Sequence, residues 1–165
     1  MAGRVDAYVD TSALIAFADA SDTYHPVFRR MFAAPPSVVV TTSLVITEGH
    51  GFLQRFDRVR ARQFLAMIDG MPFLEVRPVG AHDLAAAAPS LRRFTDQDLT
   101  MVDVVGLHLM LEGTVVSCWS THPPPRADGH AAGDPRAVRR SCGMFGVNRC
   151  GAAWCGDGAR PARAC

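Results

Sequence analysis

VDAYVDTSALIAFAD, residues 5–19, decides the fold. Val5–Asp10 alternates apolar and polar side chains, the period of a strand, and runs into Asp10-Thr11-Ser12, three residues suited to capping a helix. The pattern predicts a first strand that hands over to a helix at Ala13–Ala20. Working outward, the same alternation continues to residue 119. It predicts a helix at Thr23–Ala34 stopped by Pro35-Pro36, a β-branched strand at Ser37–Thr41, and helices at Ser43–Phe56 and Arg58–Ile68. A strand at Pro72–Arg77, a helix at Ala81–Phe94 despite Pro89, an apolar helix at Thr100–Glu112 and a buried strand at Val115–Trp119 complete it. Strands and helices in turn are the pattern of an α/β fold around a parallel sheet.

At 165 residues the chain is long enough for one core and short for two. All 17 basic residues are arginine, against 16 acids, and the net charge of +1 offers no global field to attract nucleic acid or membrane. That balance conceals an asymmetry. Residues 1–119 carry 10 Arg and 13 acids, whereas residues 120–165 carry 7 Arg and 3 acids. The second part has no Leu or Ile, and Ala, Gly and Pro make up 21 of its 46 residues. So little large apolar surface cannot offset the entropy of ordering, so 120–165 reads as a disordered or loosely attached tail on a 1–119 domain. Four of the five cysteines lie there, without the CxxC spacing of a zinc site. No apolar run is long enough to span a membrane, and acids interrupt the opening MAGRVDAYVD too early for a signal peptide, so a cytoplasmic location is expected.

The carboxylates are the informative residues. Asp10 ends the first strand, where open parallel sheets place their ligand crevice, although it is equally suited to capping the next helix. Glu48 has Leu44 and Val45 one turn before it and Phe52 one turn after, so it interrupts an apolar stripe or sits at its edge. Asp103 stands in the strongly apolar helix, at capping-box spacing from Thr100, and Asp96 and Asp98 flank the same helix start, where one of them is expected to cap it. Three acids on three elements repel one another unless a cation lies between them. Oxygen ligands of this kind suit Mg²⁺ or Mn²⁺ better than zinc, and such an ion serves phosphodiester hydrolysis by neutralising charge and acidifying a water.

On the stretches VDAYVDTSALIAFAD, VVVTTSLVITEGHGFL and FTDQDLTMVDVVGLHLM, residues 5–119 resemble the PIN-domain ribonucleases, in particular VapC-like toxins of toxin–antitoxin pairs. The resemblance implies a three-layer α/β/α fold with a central parallel sheet. It places the Mg²⁺-binding acids at Asp10, Glu48 and Asp103, with Ser12 supporting Asp10; Asp98, beside the start of the late helix, is taken as a further supporting residue. It also implies an RNA substrate, a cognate antitoxin covering the acidic cleft, and a homodimer. The family's fourth acid falls near WSTH, where this chain has His122, and the usual final helix and edge strand are absent from the sequence. Arg126-Ala127-Asp128-Gly129-His130, read one nucleotide later with suitable codons, encodes Gly-Leu-Thr-Gly, like the turn expected after this strand. A tail read out of frame in a GC-rich gene, which would also favour Arg over Lys, accounts for that difference.

The expected function is therefore Mg²⁺-dependent endoribonuclease, with Mn²⁺ as a substitute ion. The alternative is a catalytically impaired PIN-like protein that only binds an antitoxin or itself, which the loss of the fourth acid favours. Arg55, Arg58, Arg60 and Arg62 form the densest basic stretch of the domain; they suit RNA phosphates, or simply a solvated helix face. His25, His50, His82 and His108 lack metal-ligand spacing and read as surface or packing residues.

Overall fold

A computed structural model describes residues 6–95, 98–112, 115 and 117–122, together with two short strands at 146–147 and 153–154. Its central sheet has four parallel strands, β1 (Ala7–Val9), β2 (Val39–Thr42), β3 (Leu74–Arg77) and β4 (Ser117–Trp119), in the order β3-β2-β1-β4. Six helices flank it: α1 (Thr11–Ala18), α2 (His25–Ala33), α3 (Ser43–Phe56), α4 (Arg58–Asp69), α5 (Ala81–Arg93) and α6 (Met101–Glu112). This is the expected three-layer α/β/α arrangement, with β1 in the interior of the sheet between β2 and β4. Among the described residues of the expected tail, β5 (Gly146–Val147) and β6 (Ala153–Trp154) pair antiparallel. Most of 120–165, and Asp96 with it, lies outside the described residues.

The local rules behind these elements are visible in the hydrogen bonds. Thr42 caps α3 by accepting from the Val45 N–H at 3.2 Å. Asp57 ends α3 and starts α4, its carboxylate accepting from the N–H groups of Val59 at 2.7 Å and Arg60 at 3.2 Å. The α6 start is closed by Thr100 and Asp103. Thr100 N–H donates to Asp103 Oδ2 at 2.7 Å, and Asp103 N–H donates to Thr100 Oγ1 at 3.3 Å. The cap expected from Asp96 or Asp98 is thus made by Thr100, because only a residue directly before the first turn reaches its N–H groups; Asp98 is exposed.

Two packing layers hold the sheet. One cluster joins Phe28, Phe32, Val45, Leu53 and Phe64 from α2, α3 and α4 to the strands; the other centres on Ala87, Val104 and Val105 between α5 and α6. β1 departs from the expected alternation, since Ala7, Tyr8 and Val9 are all buried. A central parallel strand is covered on both faces, so its one polar-looking residue had to be satisfied inside. Tyr8 meets that need with a hydrogen bond to Thr42.

The hydroxyl end of the Tyr8 ring also packs against α6 where Gly106 leaves room. A Cβ at position 106 would stand 2.7 Å from the Tyr8 hydroxyl oxygen and 2.9 Å from Cζ. Gly106→Ala is expected to destabilise the fold by about 1 to 3 kcal/mol, despite alanine's better helix propensity. Urea denaturation checks it, and Tyr8→Phe in the same background should recover part of the loss by removing the shortest contact.

Candidate active site at the carboxyl end of β1

The β1–α1 junction places Asp10 in the N-cap position of α1, but its side chain makes no capping hydrogen bond. Its carboxylate turns across the end of the sheet instead. Oδ2 accepts from Ser12 Oγ at 2.7 Å and from Ser120 Oγ at 3.0 Å, and the two hydroxyl oxygens are 3.1 Å apart. Strand register explains the meeting: Val9 pairs with Trp119 in parallel, so the residues that follow each strand, Asp10 and Ser120, emerge side by side. The Asp10 N–H donates to the Trp119 carbonyl at 3.0 Å and fixes that exit. Ser12 stands where the sequence placed it as a support. Ser120 was missed, because the signal that identifies it is strand order and not local pattern.

Glu48 reaches the same end of the sheet from α3. Thr11, buried beside Asp10, donates its hydroxyl to Glu48 Oε2. The buried face of α3 is Val45, Gly49 and Leu53, whereas Phe52 is 47% exposed. Glu48 therefore borders the buried stripe and is held inward by Thr11. Asp103 comes from the first turn of α6, where its Oδ2 accepts both the Thr100 N–H and, at 2.8 Å, the Thr100 hydroxyl. Tyr8 connects the acids electrostatically. Burial raises its pKa above the ordinary tyrosine value, the Thr42 hydrogen bond lowers it, and the negative charges of Asp10 and Asp103 add to the rise.

No family model matches this chain, and no curated protein does. Among solved structures, it is similar to Mycobacterium tuberculosis VapC20, described as a sarcin-ricin loop cleaving toxin. The two are 25% identical, and the match has a TM-score of 0.67 and covers 76% of this chain and 97% of that one. The fold is that of a VapC-like PIN domain. No described helix of the VapC-like domain is long and apolar enough to cross a membrane.

Whether the acids fit a divalent ion is decided by their chemistry and their placement. Asp10, Glu48 and Asp103 are carboxylates, a hard oxygen set that suits Mg²⁺ or Mn²⁺. Asp10 and Glu48 are linked through neighbouring residues at one end of the sheet, and Asp103 acts on the same tyrosine as Asp10. Among the described residues, no three His, Cys, Asp or Glu side chains stand at the spacing of a closed metal site. The donors fit a hard ion by type, and in this conformation each carboxylate is engaged by hydroxyl groups. His122, where the family resemblance leads one to expect a fourth acid, has Nδ1 3.9 Å from Asp10 Oδ2.

One residue of the basic stretch is committed elsewhere. Arg60 grips Asp19 with two guanidinium nitrogens, at 2.9 and 3.2 Å. Asp19 follows the last turn of α1, so the eight-residue helix, about 12 Å long, separates that pair from the Asp10 end. Arg55, Arg58 and Arg62 are exposed. Arg60 thus lies away from the acid end and already has a carboxylate partner.

Hydrogen bonds from Ser21, and then from Arg60, hold the Asp19 carboxyl at about 2, below its ordinary 3.8. A depressed carboxyl stabilises the fold fully above its unfolded pKa and loses that contribution as the pH falls through the folded one. Asp19→Asn is therefore expected to lower Tm modestly at neutral pH, where the carboxylate contributes, and to flatten the decline between pH 4 and 2, so that the two proteins converge at the acid end. Thermal melts of both proteins across that range check it.

Proposed function

We propose that this chain is a Mg²⁺-dependent endoribonuclease, the toxin of a toxin–antitoxin pair, with Mn²⁺ able to replace Mg²⁺. The observation that carries the reading is Asp10: a carboxylate at the end of the central strand that makes no side-chain cap to its helix and is held instead by two serine hydroxyls across the end of the sheet. Asp10, Glu48 and Asp103 would hold the ion. When bound, the ion supplies positive charge for the scissile phosphate and lowers the pKa of an attacking water.

The chain's own groups do the rest. Ser12 and Ser120 fix the direction of the Asp10 carboxylate by donating to Oδ2. Thr11 keeps Glu48 at the same end of the sheet, where it can orient the water. Exposed Arg55, Arg58 and Arg62 can hold RNA phosphates away from the reacting bond, contributing affinity and not chemistry. The similarity to a toxin that cleaves the sarcin-ricin loop makes a ribosomal RNA stem-loop the first substrate to test. A cognate antitoxin, and a second copy of the chain, are the partners proposed with this reading.

Purified protein would be incubated with structured RNA, including a sarcin-ricin stem-loop, with Mg²⁺, with Mn²⁺ or with chelator, beside Asp10→Ala and His122→Asp. The expected result is cleavage that needs the ion and Asp10. Activity gained only in His122→Asp would overturn the claim that this chain is a working nuclease and favour a binding-only toxin relative, because His122 would then be the defect.

A further inference from the structure

We propose that Tyr8 is a positioning residue of the candidate site: its buried hydroxyl is a spacer shared by β1, α3 and α6, and so sets Asp10, Glu48 and Asp103 relative to one another. The inference rests on reading those acids as one metal-binding site and deepens that reading. It starts from where the ring stands in the fold. Tyr8 lies in β1, two residues before Asp10, and Asp10 continues the strand with extended backbone (φ −85°, ψ 162°), so the two side chains start from the same side of the sheet.

The tip of the ring meets the other two elements. Its hydroxyl is hydrogen-bonded to Thr42, which caps α3 by accepting the Val45 N–H at 3.2 Å. Glu48 lies in that helix, about two turns from the cap. Against α6, a Cβ on Gly106 would fall 2.7 Å from the same hydroxyl oxygen, so the helix backbone packs directly on it. Gly106 is three residues after Asp103, one turn along the same side of α6. The hydroxyl thus joins all three acid-bearing elements close to their acids.

Burial suits the group to this task. Tyr8 is 3% exposed and Thr42 is fully buried, so bulk water does not compete for their hydrogen bond. The hydroxyl also keeps its proton, because burial and the charges of Asp10 and Asp103 all oppose a phenolate. A close-packed interior transmits small displacements, and a misplacement of about 1 Å at a reacting centre can cost about a hundredfold in rate.

A tyrosine that only filled the core predicts a different response to mutation. Tyr8→Phe keeps the ring, so it would then alter stability and leave the site as it was.

Full-length wild type, Tyr8→Phe, Gly106→Ala and the double variant would be titrated with Mn²⁺, free ion being followed by electron paramagnetic resonance, and assayed on a sarcin-ricin stem-loop well below each Tm. Tyr8→Phe is expected to weaken Mn²⁺ binding and lower kcat by about three- to tenfold, with KM for RNA unchanged. Gly106→Ala should weaken binding at least as much. The double variant should bind Mn²⁺ better than Gly106→Ala, because removing the hydroxyl makes room for the Cβ, and a shared spacer requires such non-additivity. Asp10→Asn, expected to abolish binding, identifies the site being titrated. Mn²⁺ affinity and kcat of Tyr8→Phe equal to wild type, or additive losses in the double variant, would overturn the role of Tyr8 and leave the reading of Asp10 standing. Absence of Mn²⁺ binding by wild type would overturn that reading and this inference with it.

Discussion

Asp10→Asn is expected to lower RNA cleavage by about a hundred- to thousandfold while the domain stays folded. Removing one anionic ligand from a catalytic ion forfeits several kcal/mol of charge stabilisation, and each 1.36 kcal/mol is about tenfold in rate. The fold should tolerate the change because asparagine keeps the size of the side chain and can still accept the hydroxyl of Ser12 or Ser120. Nor does it remove a helix cap, since the Asp10 carboxylate makes none. Initial rates and thermal melts measured on the same preparations check both halves. A variant that melts like the parent and cleaves as fast would show that the activity does not come from this site. Ser12→Ala, which only loosens the carboxylate, should cost much less than Asp10→Asn.

Phe64→Ala is expected to carry the largest stability loss, about 3 to 5 kcal/mol. Phe64 is 1% exposed and fills the space between α4 and α3. Its ring tip lies where Gly49 has no side chain; a Cβ there would be 2.7 Å from Cζ. The two helices can therefore close around a full aromatic ring, and truncation leaves a cavity that neither backbone can collapse into. A total stability of about 5 to 15 kcal/mol makes such a loss a large fraction of the whole. Because Gly49 is next to Glu48, loosening this contact should also reduce cleavage in conditions where the variant is still folded. Denaturant midpoints test the first effect; a loss below about 1 kcal/mol would show that α3 and α4 are not locked through this ring.

What could be read from the sequence was set by how local each determinant is. Ser43–Phe56 was legible as one helix because Thr42 and Asp57, which bracket it, are local caps. β1 was recognisable as a strand, but its alternation misled, since Tyr8 is satisfied by Thr42 and roofed by Gly106, residues distant in the chain. The site shows the same division. Ser12 is two residues from Asp10 and was found; Ser120 depends on β4 lying beside β1 and was not. The apolar stripe assigned to Glu48 used Phe52, which turns outward, while Thr11 supplies the contact that holds Glu48. Arg60 looked available for phosphate because Asp19, which it grips, is brought near only by the packing of α1 against α3.

The central claim is that the acids around the end of β1 hold a divalent ion. Crystals of the protein soaked in Mn²⁺ and measured at an energy where manganese scatters anomalously test it most directly. The account predicts an anomalous peak at the carboxyl end of β1, bonded to Asp10 and approached by Glu48 or Asp103. An ordered Asp10 with no peak beside it, at an Mn²⁺ concentration that supports cleavage in solution, would contradict it.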